Sequence, residues 1–260
     1  MRYALFSDVH ANYQAFQSIL KDSEQERVQR YVFIGDIVGY GAEPKACIAQ
    51  LRDLMKRREC ISVAGNHDYA VAGTSSYEQY NVYAQESIEW TKKQLDEEER
   101  EFLIQLPLVR RVPLHEQHKE HGRISVATRT FTVVHANLVA PEQWGYILDI
   151  DDAHPSFMLM EDQLCFIGHS HKPLVFVENE FIDWFIEDKV EIQKDTKYII
   201  NIGSVGQPRD GNPDACYAIL DDETHCVEIR RVAYDISKAQ EKILNTTLPR
   251  ILADRLSVGK

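Results

Sequence analysis

At 260 residues the chain is long enough for one large domain or two small ones, and 44% hydrophobic with 27% charged residues is the balance of a soluble globular protein. A net charge of −12 argues against nucleic acid or an anionic membrane as a partner, and it would repel a phosphate substrate unless bound cations reverse the field locally. Five scattered cysteines without CxxC spacing predict reduced, buried thiols in a cytoplasmic protein, and no apolar run reaches the length of a signal peptide or a membrane span.

Tyr3 to Phe6 reads as a short buried strand running into Ser7-Asp8. Asn12 to Val28 has helical spacing, with Ala15, Phe16, Ile19 and Leu20 on one side. Tyr31 to Ile34 is a second strand, stopped by Gly35-Asp36. Pro44 opens a second helix that ends near Lys56-Arg57-Arg58, and Cys60 to Ala64 is a third strand. Strands alternating with helices of this length predict βαβ units and a parallel sheet, in which ligands collect beyond the carboxyl ends of the strands. From Tyr69 to Leu106 the pattern is long, helical and rich in charge. Tyr77, Tyr80 and Tyr83 on it are expected to be the core face of a helix, with the lining of a substrate cleft as the alternative, and the acidic run Asp96 to Glu101 reads as a solvated helix start. His115 to Gly122 reads as a polar hairpin tip. Its histidines have metal-like spacing but lack the rigid surroundings a metal site needs. With that hairpin, residues 69–122 form an insert in a single domain spanning 1–260.

Beyond it, Ile124 to Val134 predicts two strands and Leu164 to Gly168 another, with Pro141 to Ile150 a loop between them. Leu174 to Val177, Tyr198 to Ile202, Ala215 to Leu220 and Cys226 to Val232 are further strands. Asp235 is placed to cap a C-terminal helix, and Pro249 to start another.

Five of these strands end in an Asp, Asn or His. They deliver Asp8 and His10, Asp36, Asn66, His135, and His169 and His171. On extended backbone, residues two apart point to one side, so each two-residue pair can offer both side chains to one ion. Mixed oxygen and imidazole ligands suit Mn, Fe, Zn, Co or Ni better than Ca or Mg. Seven ligands exceed the needs of one ion with an open position. Shared through a bridging carboxylate by two ions roughly 3.5–4 Å apart, they give about four each, enough to acidify a water and grip a phosphoryl group.

The order Asp8-Val9-His10, Gly35-Asp36, Gly65-Asn66-His67-Asp68, His135 and Gly168-His169-Ser170-His171 resembles the calcineurin-like metallophosphoesterase superfamily. Gly35 to Gly41 and Gly203 to Arg209 are similar to its compact bacterial and archaeal phosphodiesterase branch. The resemblance implies a four-layer α/β sandwich of two mixed sheets with helices outside. It implies one ion on Asp8, His10, Asp36 and His171, and a second on Asp36, Asn66, His135 and His169, with Asp36 bridging. It gives His67 the role of stabilising the phosphate and protonating the leaving alkoxide, which also suits an imidazole chemically.

Other members carry Asp-Arg-Gly where this chain has Gly39, Tyr40 and Gly41. The Asp that would orient the catalytic His and the Arg that would bind phosphate are both missing, which argues against phosphoprotein and dinucleotide-polyphosphate substrates. Asp68 is the carboxylate available to orient His67. Asn12 is a candidate phosphate contact or a helix cap, and Arg209 a candidate phosphate fork or a surface ion pair. The expected function is hydrolysis of a small phosphoester, a diester in the first instance, by in-line attack of a metal-bridging hydroxide. A monoesterase or nucleotide hydrolase is the alternative. A non-catalytic scaffold is the rival of another class, and it sits poorly with the presence of His67 and all seven ligands.

Overall fold

Alternate residues of β1 (Arg2–Phe6) enter two different apolar layers: Tyr3 and Leu5 belong to one cluster, Ala4 and Phe6 to another. That is the two-residue period of a strand covered on both faces. The computed structural model describes residues 1–57, 60–114, 118–120, 123–125 and 129–260. After β1 come α1 (Tyr13–Gln25), β2 (Arg30–Ile34), α2 (Pro44–Arg57) and β3 (Cys60–Val63), then the helices α3 (Asn66–Ala72), α4 (Val82–Gln94) and α5 (Glu97–Ile104). Next are β4 (Val109–Pro113), β5 (His118–Glu120), β6 (Arg123–Ser125), β7 (Thr130–Val134), α6 (Ile150–Leu159), β8 (Leu164–Ile167) and β9 (Leu174–Glu178). The chain continues through β10 (Ile182–Phe185), β11 (Lys189–Glu191), β12 (Lys197–Asn201), β13 (Ala215–Asp221), β14 (Cys226–Val232), α7 (Ile236–Leu244) and α8 (Ile251–Asp254).

Two mixed six-stranded sheets result, ordered β11-β14-β13-β1-β2-β3 and β10-β9-β12-β8-β7-β4. In the first, β1, β2 and β3 pair in parallel; in the second, β7, β8 and β12 do. Tyr3, Leu5, Val32 and Ile34 of the first sheet meet Phe131, Val133, Phe166 and Ile200 of the second in one inner core. Ala4, Phe6, Tyr31 and Phe33 face outward onto Phe16 and Ile19 of α1 and Ile48 and Leu51 of α2. On the far side, Val134, Cys165, Ile167 and Ile199 pack on Ala153 and Phe157 of α6. The layering is therefore helix, sheet, sheet, helix, as expected. All five cysteines are buried and free. No described helix is long and apolar enough to cross a membrane.

The long helical pattern from Tyr69 to Leu106 is broken into three. Gly73 ends α3 in a left-handed conformation, Asn81 caps α4, and Asp96 and Glu99 form a reciprocal capping box that restarts the chain as α5. The tyrosines consequently do not share a core face. Tyr77 and Tyr80 precede α4, and Tyr83 on it is 45% exposed. β5 and β6 pair as an antiparallel hairpin. His115 and His121 lie outside the described residues, as do all side chains from 115 to 128. Asp235 caps α7 by accepting from the Lys238 amide.

Candidate metal centre

Each of the seven candidate ligands follows one of the parallel strands: Asp8 and His10 after β1, Asp36 after β2, Asn66 after β3, His135 after β7, His169 and His171 after β8. The expected extended geometry of the pairs is not what the backbone adopts. Asp8 (φ 53°), His10 (48°), Asp36 (61°), His169 (66°) and His171 (60°) are all left-handed. The chain reverses directly out of each strand, and backbone bonds between loops hold the reversals: Asp8 N to Gly35 O, His10 N to Asp36 O, Gly168 N to His135 O and Gly206 N to Asp8 O. Such conformations cost on the order of 1–3 kcal/mol each and persist only where the surroundings over-determine them. Gly65 serves by close approach: a side chain there would run into the Asp36 carboxylate.

The side chains converge in three overlapping groups: Asp8, His10 and His171; His10, Asp36 and His67; Asp36, His135 and His169. His10 and Asp36 each belong to two of them. His10, His135 and His171 each turn Nδ1 to a backbone carbonyl, of Val38 at 3.1 Å, Ile34 at 2.8 Å and Gln207 at 2.6 Å. A carbonyl only accepts, so Nδ1 carries a proton; neutral His10 and His171 then present an Nε2 lone pair inward, while His135 Nε2 faces acceptors that a second proton or a metal ion would satisfy. Acceptors then face one another. His10 Nε2 is 3.0 Å from His171 Nε2, which is 3.2 Å from Asp8 Oδ1. His135 Nε2 is 3.1 Å from Asn66 Oδ1 and 3.4 Å from Asp36 Oδ2. Asp8 Oδ1 and His169 Nε2 are buried with no hydrogen-bond partner among the described residues. Lone pairs arranged this way repel unless a cation lies among them, so the donor set fits divalent metal.

Burial acts against charge throughout this pocket. It would raise both carboxyls, yet the surrounding histidines, His171 first for Asp8 and His135 first for Asp36, hold Asp8 near 2 and keep Asp36 low. Burial also keeps His10 and His169 neutral. His135 is the exception: burial pulls it down, but Asp36 and Asp8 outweigh this and raise it to about 9. Without metal, a proton is thus the cation that this cluster attracts.

His67 opens α3, its N–H donating to Asp36 Oδ1 at 2.8 Å, and its ring lies 5.0 Å from that of His10. Burial lowers it to about 4, so the imidazole is neutral at pH 7. Asp68 does not orient it. The Asp68 carboxylate accepts from the amides of Asp36, Ile37, Val38 and Gly65, stapling the β2 loop to the start of α3. The His67 Nδ1 is buried without a partner, and Gly39 leaves room for it: a Cβ there would stand 2.5 Å from that nitrogen. What fixes the ring is packing, between Tyr40 at 4.5 Å and Tyr80 at 5.8 Å.

Above the cluster opens a cleft of about 310 Å3 that Asp36, Asn66, His67, His169 and His171 line from below. Arg209 lines it too, its guanidinium donating to Gln207 Oε1 and lying 5.7 Å over the Tyr40 ring, with no carboxylate ion pair among the described residues. Asn12 stands outside. It caps α1 by accepting from the Ala15 amide and donates to Gly206 O and the Tyr234 hydroxyl, which occupies the whole carboxamide. Sequence reasoning weighed Tyr80 for the cleft but missed the rest of its aromatic wall, Tyr40, Trp144 and Tyr146, because aromatic residues in a loop carry no spacing signal.

The calcineurin-like phosphoesterase superfamily domain matches residues 1–225. The chain is 40% identical over 260 residues to the uncharacterized protein MJ0912 of Methanocaldococcus jannaschii, covering 99% of this chain and 98% of that protein. It is similar to the solved metallophosphoesterase from Sphaerobacter thermophilus, at 35% identity and a TM-score of 0.81 over 100% of this chain and 99% of that one. The hypothetical protein PH1004 from Pyrococcus horikoshii shares the fold, with a TM-score of 0.78 at 19% identity over 100% of this chain and 98% of that one. The chain belongs to the calcineurin-like phosphoesterase superfamily, a group of phosphoester hydrolases that generally bind divalent metals.

Proposed function

We propose that the chain is a phosphodiesterase working with two divalent transition-metal ions, of Mn, Fe, Zn, Co or Ni. The observation that carries this reading is the set of inward lone pairs, with three imidazoles locked by backbone carbonyls and two buried ligand atoms left unpaired. One ion would be held by Asp8, His10, Asp36 and His171, the other by Asp36, Asn66, His135 and His169. Bound there, the ions would supply positive charge to phosphoryl oxygens and a water acidified enough to act as a nucleophile near neutral pH.

The protein's own groups do the rest. His67 faces the cleft beside Asp36. It hydrogen-bonds a phosphoryl oxygen and, with an anion against it to favour its protonated form, gives a proton to the departing oxygen. Arg209 forks to a phosphate oxygen. The cleft offers a single guanidinium, which suits the single charge of a diester better than the double charge of a monoester. Rates on bis(4-nitrophenyl) phosphate and 4-nitrophenyl phosphate test the choice: the diester is expected to turn over faster, and faster monoester turnover would overturn it.

A further inference from the structure

The cleft has a wall that the hydrolysis of a bare phosphodiester leaves unused. Residues 137–147 form a pinned hook. The Asn137 carboxamide accepts from the Val139 and Ala140 amides at 3.0 Å each and donates to Gly145 O at 2.8 Å. On the hook, Trp144 is held at φ 57°, a conformation rare for a bulky side chain. Its Nε1 is buried with no hydrogen-bond partner among the described residues, and Trp144 and Tyr80 both line the cleft.

Tyr146 adds a platform. Its ring lies parallel over the His169 imidazole, with centroids 4.1 Å apart and planes 20° apart, and the residue remains 49% exposed. One face of the ring is thereby fixed and the other is open to a second flat group. Gln79, Asn81 and Gln143 border the same space, and carboxamides offer both donors and acceptors, the complement of a base edge.

We infer that, given the phosphodiesterase reading above, the substrate is a nucleoside phosphodiester whose base stacks on Tyr146 beside Trp144 while its phosphate lies at Arg209 and His67. Sugar, serine and threonine phosphoesters bring no flat π-face to this wall. The cleft of about 310 Å3 has the size of a small-molecule site, and the net charge of −12 disfavours the backbone of a longer nucleic acid. In the reaction, water forms one new bond to phosphorus, one P–O ester bond breaks, and the departing alkoxide takes up a proton. The products are a nucleoside monophosphate and an alcohol.

The test uses the metal-loaded full chain and three diesters with one leaving group: the 4-nitrophenyl esters of thymidine 5′-phosphate, phenyl phosphate and methyl phosphate. The kcat/KM of the nucleoside ester is expected to exceed that of the methyl ester by roughly 5–150-fold, which is the equivalent of about 1–3 kcal/mol of base stacking. Tyr146→Leu should bring that ratio toward one and Tyr146→Phe should keep it. Metal content, measured on the same samples, reads any disturbance of His169 separately. A ratio of one in the unaltered protein, a phenyl ester equal to the nucleoside ester, or a ratio that survives Tyr146→Leu would overturn the inference and leave the phosphodiesterase reading standing. Inertness toward all three esters would overturn both.

Discussion

On the floor of the cleft, His10, His135 and His171 are held from behind, each Nδ1 on a backbone carbonyl, and five of the seven candidate ligands sit in left-handed backbone that only a crossing set of loop bonds can maintain. On the wall, Trp144 Nε1 has no hydrogen-bond partner among the described residues, and Tyr146 is half exposed. The floor constrains the identity of every residue, because a metal accepts few atom types at fixed spacing. The wall asks only for flat surface and a few amides, which many residues supply. Chemistry should therefore be brittle on the floor, and selectivity should be adjustable on the wall.

The largest effect should come from His67, which joins the two. His67→Ala is expected to lower kcat for a phosphodiester by about 10²–10⁴-fold while the metal content of the purified protein stays the same. Unchanged turnover would remove His67 from the mechanism. Next is Gly39→Ala. The added methyl would stand 2.5 Å from His67 Nδ1 in a backbone at φ 93°, and displacing the ring should cost about 10²-fold in kcat with ligands intact. A crystal structure of the variant with His67 unmoved would contradict the packing account of its orientation.

The floor also predicts a pH dependence. In the metal-free protein His135 is raised to about 9, so near pH 7 it holds a proton that an arriving ion must expel. Affinity for Mn2+ should weaken as pH falls below 9, by about tenfold per pH unit for one displaced proton. Stability of the metal-free protein should run the other way. The contribution of His135 is complete below its unfolded pKa of about 6.5 and is lost as pH rises through 9, which denaturant titrations at pH 6 and 10 with chelator present would detect. The smallest effect is expected at Asn12. Asn12→Ala removes a helix cap, and should lower stability by about 1 kcal/mol in urea unfolding without changing kcat, since the residue stands outside the cleft.

The same contrast explains what the sequence discloses. Asp8, His10, Asp36, Asn66, His135, His169 and His171 are legible because strand ends in parallel sheets deliver side chains to one edge, and the apolar runs that announce the strands are long. How they converge is not legible: the pairs meet through left-handed turns stabilised by bonds between loops distant in sequence, such as Gly206 N to Asp8 O. Asp68 stays hidden for a similar reason, since its four amide partners come from two separate loops. The start of α5 is legible, because the acidic run from Asp96 to Glu101 reads as a helix start, whereas the breaks at Gly73 and Asn81 escape a reading of helical spacing. The wall is silent, because Trp144 and Tyr146 look like any loop aromatics until Asn137 pins the loop beneath them.

Whether seven side chains cage two ions is decided most directly by elemental analysis of the protein after equilibrium dialysis against Mn2+ and removal of loose metal. Two ions per unaltered chain are expected, and fewer in Asp36→Ala, which strips the residue shared by both groups. A saturating value of one, or a value of two that Asp36→Ala leaves untouched, would contradict the shared-carboxylate centre.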